Sequence, residues 1–227
     1  MKKINNYIIE KLQIGSNTKL GDNYYHPKTR DELKELVKKL IKERGNDADL
    51  NDIDTSEITD MYGIFMNSQF NGNISKWDVS NVIDMRSVFD SAQFNGNISD
   101  WNVSKVKNMI NMFYNSKFNQ DISKWDVSNV TYMNNMFFNS KFNGDIKSWD
   151  VSNVNNMSCM FQNSKFNGNI SNWDVSNVTN MNYMFYNSEF NENISKWKVN
   201  PDTFMVDIFL NSPLEKNPPK WYNEKNK

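Results

Sequence analysis

Cysteine and histidine are almost missing from the chain: Cys159 and His26 are the only ones in 227 residues. That scarcity excludes a disulfide framework and a structural zinc site built from Cys and His. It also leaves a single imidazole for any nucleophile–base pair. A lone thiol suits a reducing compartment. Leucine is sparse too, and Phe, Met, Trp and Ile carry the apolar volume instead. No stretch approaches the roughly 20 apolar residues of a membrane span. The opening "MKKINNYIIEKLQIGSNTKL" starts basic, but Asn, Glu and Gln interrupt any apolar core. No signal peptide is expected there, and no Cys near the start offers a lipid anchor. Excess charge of either sign is lacking as well, with a formal net charge of −1. Electrostatics therefore give no reason to expect nucleic acid or an anionic membrane as partner.

What is present is a period. Trp77, Trp101, Trp125, Trp149, Trp173, Trp197 and Trp221 stand 24 residues apart. A methionine column runs at the same spacing from Met61 to Met205, and a phenylalanine column from Phe65 to Phe209. A second phenylalanine column runs from Phe70 to Phe190, with Leu214 in the next place. A fixed period of this size marks an architecture in which each unit buries its apolar face by stacking on its neighbours.

Spacing within a unit assigns the elements. In "ISKWDVSNVIDMRSVF", residues 74–89, Trp77 and Val79 alternate with Lys76, Asp78 and Ser80, as in a short half-buried strand. Val82, Met85, Val88 and Phe89 then recur at helical spacing. The last copy reads "WKVNPDTFM", with Pro201 where Asn81 stands and Asn200 where Ser80 stands. Proline suits a first helical position, so Ser80, Ser104, Ser128, Ser152 and Ser176 read as helix N-caps. "NSKFNGNI" supplies a turn back to the next strand. The sequence thus predicts an α/β repeat solenoid, with a short parallel strand and a short helix in each 24-residue repeat. About seven units at 4.8 Å give a stack roughly 30–35 Å long.

Three regions follow. Residues 1–45 form an N-terminal extension and a capping helix over about 30–44. Thr29 with Glu32 makes a capping box, Gly45 suits the position after the helix, and Leu33, Leu36, Val37, Leu40 and Ile41 form one apolar stripe. Within the extension, "NYIIEKLQI" is a candidate strand. Residues 46–212 are the solenoid. Residues 213–227 are a degenerate C-terminal cap, broken by Pro213, Pro218 and Pro219, with "YNEKNK" read as a frayed tail.

"WDVSNVTNM", "MFYNSKFNGNI" and the entry "DIDTSEITDM" resemble the BspA-like leucine-rich-repeat surface proteins of bacteria, in a variant rich in Trp, Met and Phe. The resemblance covers residues 46–212. It implies a right-handed leucine-rich-repeat coil, a cell-surface address, and a partner that is a host or neighbouring-cell protein. The frame "IxxWxV" is similar to the family's "LxxLxL". Where the family pattern carries a buried asparagine this chain has Val82, Val106, Val130, Val154 and Val178, so a ladder of asparagines is not expected at that place.

Few residues could do chemistry. Cys159 shares its repeat position with Ser87, Asn111, Asn135 and Tyr183, and reads as a neutral surface substitution. His26, next to Pro27, reads as a loop residue. No EF-hand spacing or calcium-binding nonapeptide occurs, and no cofactor, metal or catalytic residue is expected. The aromatic and methionine columns read as core. The candidate ligand-binding face is the outward side of the strands: Lys76, Asp78, Asp100, Asn102, Lys124, Asp126, Asp150 and Asp174. Successive carboxylates about 5 Å apart repel by roughly 1 kcal/mol in water. Local hydrogen bonds, neighbouring lysines, or a basic ligand or cation would each offset that cost. The expected function is a non-catalytic scaffold for protein–protein interaction. The alternative is a spacer or display stalk with no ligand of its own.

Overall fold

A computed structural model describes residues 25–225. Residues 24 apart are joined by parallel bridges in an unbroken series: Asp60 to Asp84, Asn108, Tyr132, Asn156, Asn180 and Phe204. Around each bridge the backbone N–H groups divide their bonds between two directions. Met85, Ser87, Phe89 and Ser91 donate forward to the carbonyls of Asn108, Ile110, Met112 and Tyr114, at 2.9, 2.9, 3.0 and 2.7 Å. Val88, Asp90 and Ala92 instead donate back to Met85, Ser87 and Phe89 of their own unit.

This alternation replaces the helix that the spacing predicts over residues 82–89. Ser87 and Ser91 have φ of 52° and 55°. A positive φ at the third residue of a four-residue turn is the type II signature. Two turns of this kind, Met85 to Val88 and Phe89 to Ala92, joined by a third from Ser87 to Asp90, bring Met85, Val88 and Phe89 to one side, much as a helix would. The difference lies in the hydrogen bonds. A helix keeps every N–H in its own segment, whereas here every second one is spent on the next unit. Consequently Ser80 and its equivalents are not helix N-caps. The pairing also falls outside the expected strand: residues 74–79 carry no bridge, and Trp77 N–H closes a turn on Ile74 O at 3.2 Å.

The interior is a stack of rings. Phe113 and Phe137 lie 5.6 Å apart with planes 5° from parallel, and Phe118 and Phe142 lie 6.4 Å apart at 12°. Within one unit the two columns meet, with Phe113 and Phe118 at 4.3 Å. Tryptophan, methionine and valine columns surround them, and all are buried from Trp77 to Trp197. Such rings and thioethers exclude water because transferring their apolar area out of it is favourable.

Different structures close the two ends. At the start, α1 (Arg30–Arg44) buries Leu33, Leu36, Val37 and Leu40 against the core. Thr29 Oγ1 accepts from Glu32 N–H at 3.3 Å, Glu32 Oε2 accepts from Lys28 N–H at 2.8 Å, and Gly45 ends the helix at φ 91°. Arg44 holds the helix end to the first unit through Asp52 at 2.8 Å. At the other end a 3-10 turn (Pro213–Glu215) leads to α2 (Lys220–Lys225), which occupies most of the segment expected to fray. Trp221 stacks on Trp197 at 6.2 Å, and Tyr222 meets Phe209 edge-on. The candidate strand at "NYIIEKLQI" lies outside the described residues.

Candidate functional site

The eight candidate residues are all exposed, on one rim of the stack. Their backbones are fixed by a turn that repeats in each unit. Asp78 Oδ1 accepts from Ser80 N–H at 2.9 Å, and Asp126, Asp150 and Asp174 do the same with Ser128, Ser152 and Ser176 at 3.0 Å. Asn102 makes the same bond to Ser104 at 3.2 Å. A side-chain oxygen two residues before an N–H makes an Asx turn. The serines thus serve as donors in that turn. Lys76 enters from the other side, its N–H donating to Asn51 Oδ1 at 2.8 Å.

The charges respond to this arrangement. The side-chain hydrogen bond from Ser152, then its backbone N–H, hold the Asp150 carboxyl below the usual carboxylate range, against slight burial and the repulsion of Asp174. The Ser176 hydroxyl and N–H do the same for Asp174, helped by Lys198. One oxygen of each carboxylate is therefore committed to the turn while the side chain stays exposed. Asp150 and Asp174 remain ionised at neutral pH and can meet cationic groups.

Other candidates have bland geometry. His26 Nδ1 lies 3.2 Å from Asp54 Oδ2 in the loop before α1. Burial opposes ionisation of Asp54, but hydrogen bonds from Ser56 and the contact with His26 together outweigh it and lower its pKa. Cys159 is half-buried, and burial pushes its thiol up, away from reactivity. Its backbone position is not neutral: φ is 56°, as at Ser87, Asn111, Asn135 and Tyr183. Among the described residues no three His, Cys, Asp or Glu side chains are grouped to hold a metal.

Three side-chain ladders went unread in the sequence. Each tryptophan indole N–H donates to the carbonyl 27 residues earlier, from Trp77 on Leu50 at 2.9 Å to Trp221 on Ile194 at 2.9 Å. Asn71, Asn95, Asn119, Asn143 and Asn167 each accept on Oδ1 from the N–H of the asparagine 24 residues on, at 2.7–2.9 Å. Asn81, Asn129, Asn153 and Asn177 donate through Nδ2 to a serine carbonyl 25 residues back. An asparagine ladder thus exists, on the residue that follows the second phenylalanine. The signal was the "FN" pair that recurs from Phe70 and Asn71 to Phe190 and Asn191. The valines at the place where the family pattern puts an asparagine are buried in the core.

No helix among the described residues is long and apolar enough to cross a membrane. No curated protein and no solved structure matches the chain. One family model matches twice, over residues 32–141 and again over 116–221. Its overlapping matches span the stack from α1 to α2, and the chain belongs to the family described as Mycoplasma protein of unknown function, DUF285.

Proposed function

We propose that the chain is a right-handed solenoid of the leucine-rich-repeat type, related to the BspA-like surface proteins, and that it serves as a non-catalytic scaffold for a protein partner. The partner docks on the rim of Lys76, Asp78, Asp100, Asn102, Lys124, Asp126, Asp150 and Asp174. One observation carries the reading. Asn102 closes the same turn as its aspartate neighbours, so the fold requires only the oxygen and not the charge. Asp126, Asp150 and Asp174 nonetheless keep three like charges in succession, at a cost of roughly 1 kcal/mol per adjacent pair. A basic, extended protein surface would recover that cost and would meet the row at a constant interval. The resemblance supports looking for such a partner at a host or neighbouring-cell surface.

The test follows from the geometry. Asp126, Asp150 and Asp174 are replaced together by Asn, which keeps every Asx turn. Partners are cross-linked to the chain in the native cell, identified, purified and titrated against both proteins. Saturable binding that weakens in the triple variant, with an unchanged melting curve, supports the reading. Saturable binding of equal strength moves the site elsewhere. No saturable partner at all favours the spacer.

A further inference from the structure

The stack is finished differently at its two ends, and the difference bears on what can join it. In every unit from Met61 to Met181, the N–H groups at alternate positions donate forward to the next unit. In the last unit the equivalent residues are Met205, Asp207, Phe209 and Asn211. Asn211 N–H finds Glu215 Oε2 at 2.9 Å, supplied by the C-terminal segment. The N–H groups of Met205, Asp207 and Phe209 have no acceptor among the described residues. Phe209 is covered by Tyr222, whereas Asp207 is exposed and Met205 half-buried. Beside them stand Phe204 at 66% and Val206 at 50% exposure, the two most exposed large apolar side chains described. Next to this edge is a pocket of about 130 Å³ lined by Asp207, Leu210, Glu215 and Tyr222, among others.

We infer that this edge takes a segment of another polypeptide that adopts the alternating turn conformation of the repeat itself, with its alternate carbonyls all turned to one side, and that pairs in parallel register through them. The polarity of the edge selects the occupant. The carbonyls of Phe204, Val206, Ile208 and Leu210 all point back and are already used by Met181, Tyr183, Phe185 and Asn187. The free groups are donors alone, so two copies meeting edge to edge would set donor against donor. The opposite end of a second copy is closed by α1. A phosphate or nucleic acid would meet the carboxylates of Asp207 and Glu215 at the pocket. In that conformation a peptide's carbonyl row is neutral and recurs at every second residue, as the donors do. Its apolar side chains lie over Phe204 and Val206, and a basic side chain suits the acidic pocket. This surface is separate from the aspartate rim.

The experiment uses the full chain. A phage-displayed library of random linear peptides is panned against it and counter-selected on Phe204→Lys/Val206→Lys, whose changed side chains are exposed and hold nothing in the core. Enriched peptides are synthesised and titrated, and amide hydrogen exchange is followed in the complex. The expected result is a loss of about tenfold or more in affinity for the double variant, with slowed exchange at Met205 and Asp207. Binding that is indifferent to the double variant, protection confined to other amides, or no enriched peptide overturns the inference. The triple Asp→Asn variant, which leaves this edge intact, should bind the same peptides unchanged, so failure here and failure of the rim are told apart.

Discussion

Trp125 donates its indole N–H to the carbonyl of Ile98, 27 residues earlier and 3.1 Å away. The bond crosses from one unit to the one before it, and both groups are out of contact with water. Replacing Trp125 by Phe keeps an aromatic ring and removes this bond, while the Ile98 carbonyl still accepts from Trp101 N–H at 3.2 Å, so the change should cost about 0.5–1.5 kcal/mol. Trp125→Ala removes the ring as well and should cost about 3–5 kcal/mol. Lys124→Ala, on the exposed side, should stay within about 0.5 kcal/mol. Urea denaturation of the three variants checks the order. Equal midpoints for Trp125→Ala and Lys124→Ala would reverse the inside and outside of the unit.

The asparagine ladder makes a second prediction. Asn119 Oδ1 accepts from Asn143 N–H at 2.9 Å. Asn119→Ala should destabilise by about 0.5–1.5 kcal/mol. Asn119→Asp keeps the acceptor and should lose only a small part of that. If both variants melt alike, the ladder bond contributes nothing measurable.

Ser91 occupies a column that is asparagine in Asn67, Asn115, Asn139, Asn163, Asn187 and Asn211, all with φ between 48° and 61°. Asparagine tolerates this left-handed region better than other side chains with a Cβ. It would also shorten the 3.5 Å contact from Asn115 Nδ2 towards the 2.7 Å that Asn139 makes to Asn115. Ser91→Asn should therefore stabilise by about 0.5–1 kcal/mol, raising the Tm by about 1–4 °C. Ser91→Val should lower it. Scanning calorimetry distinguishes the two.

Acid should unpick the rim before the core. The folded pKa values of Asp150 and Asp174 lie below the unfolded value, because Ser152 and Ser176 donate to the ionised form. Their contribution is present in full above the unfolded carboxylate pKa of about 3.9. It is lost as pH falls through the lower folded values. In Asp150→Asn/Asp174→Asn the turns remain and the titration goes, so stability should fall less steeply below about pH 4. The check is a set of denaturant melts between neutral and strongly acidic pH.

The columns were legible because burial fixes residue type. A Trp, Met or Phe that must stack on its own copy cannot drift, and the 24-residue interval could be read directly. The sequence reads equally plainly around α1, where Thr29, Glu32 and the apolar stripe agree with one another. The form of the backbone between columns was not legible. Val82, Met85, Val88 and Phe89 satisfy a helical spacing, and what decides against the helix is the left-handed backbone at Ser87 and Ser91. Serine gives no hint of that, and only the asparagines at the equivalent places in other copies do. The ladders were hidden for a related reason. Asparagine is common in turns for its local bonds, so a bond to a residue 24 away leaves no mark beyond repetition. The exposed aspartates were found as a row and local hydrogen bonds were among the offsets expected for their charge, but that Asp78, Asp126, Asp150 and Asp174 each accept from the serine two residues on became clear only in the structure.

The ladders also restrict how the chain can change in length. Indole, amide and backbone donors all point to partners at intervals of 24, 25 or 27 residues, tied to one period. Removing or adding one whole period presents every donor with an equivalent acceptor, and the spine heals. Removing any other number leaves several rows out of step together. A gene for such a protein can therefore lose or gain module copies in single events, while small insertions survive only where no row passes.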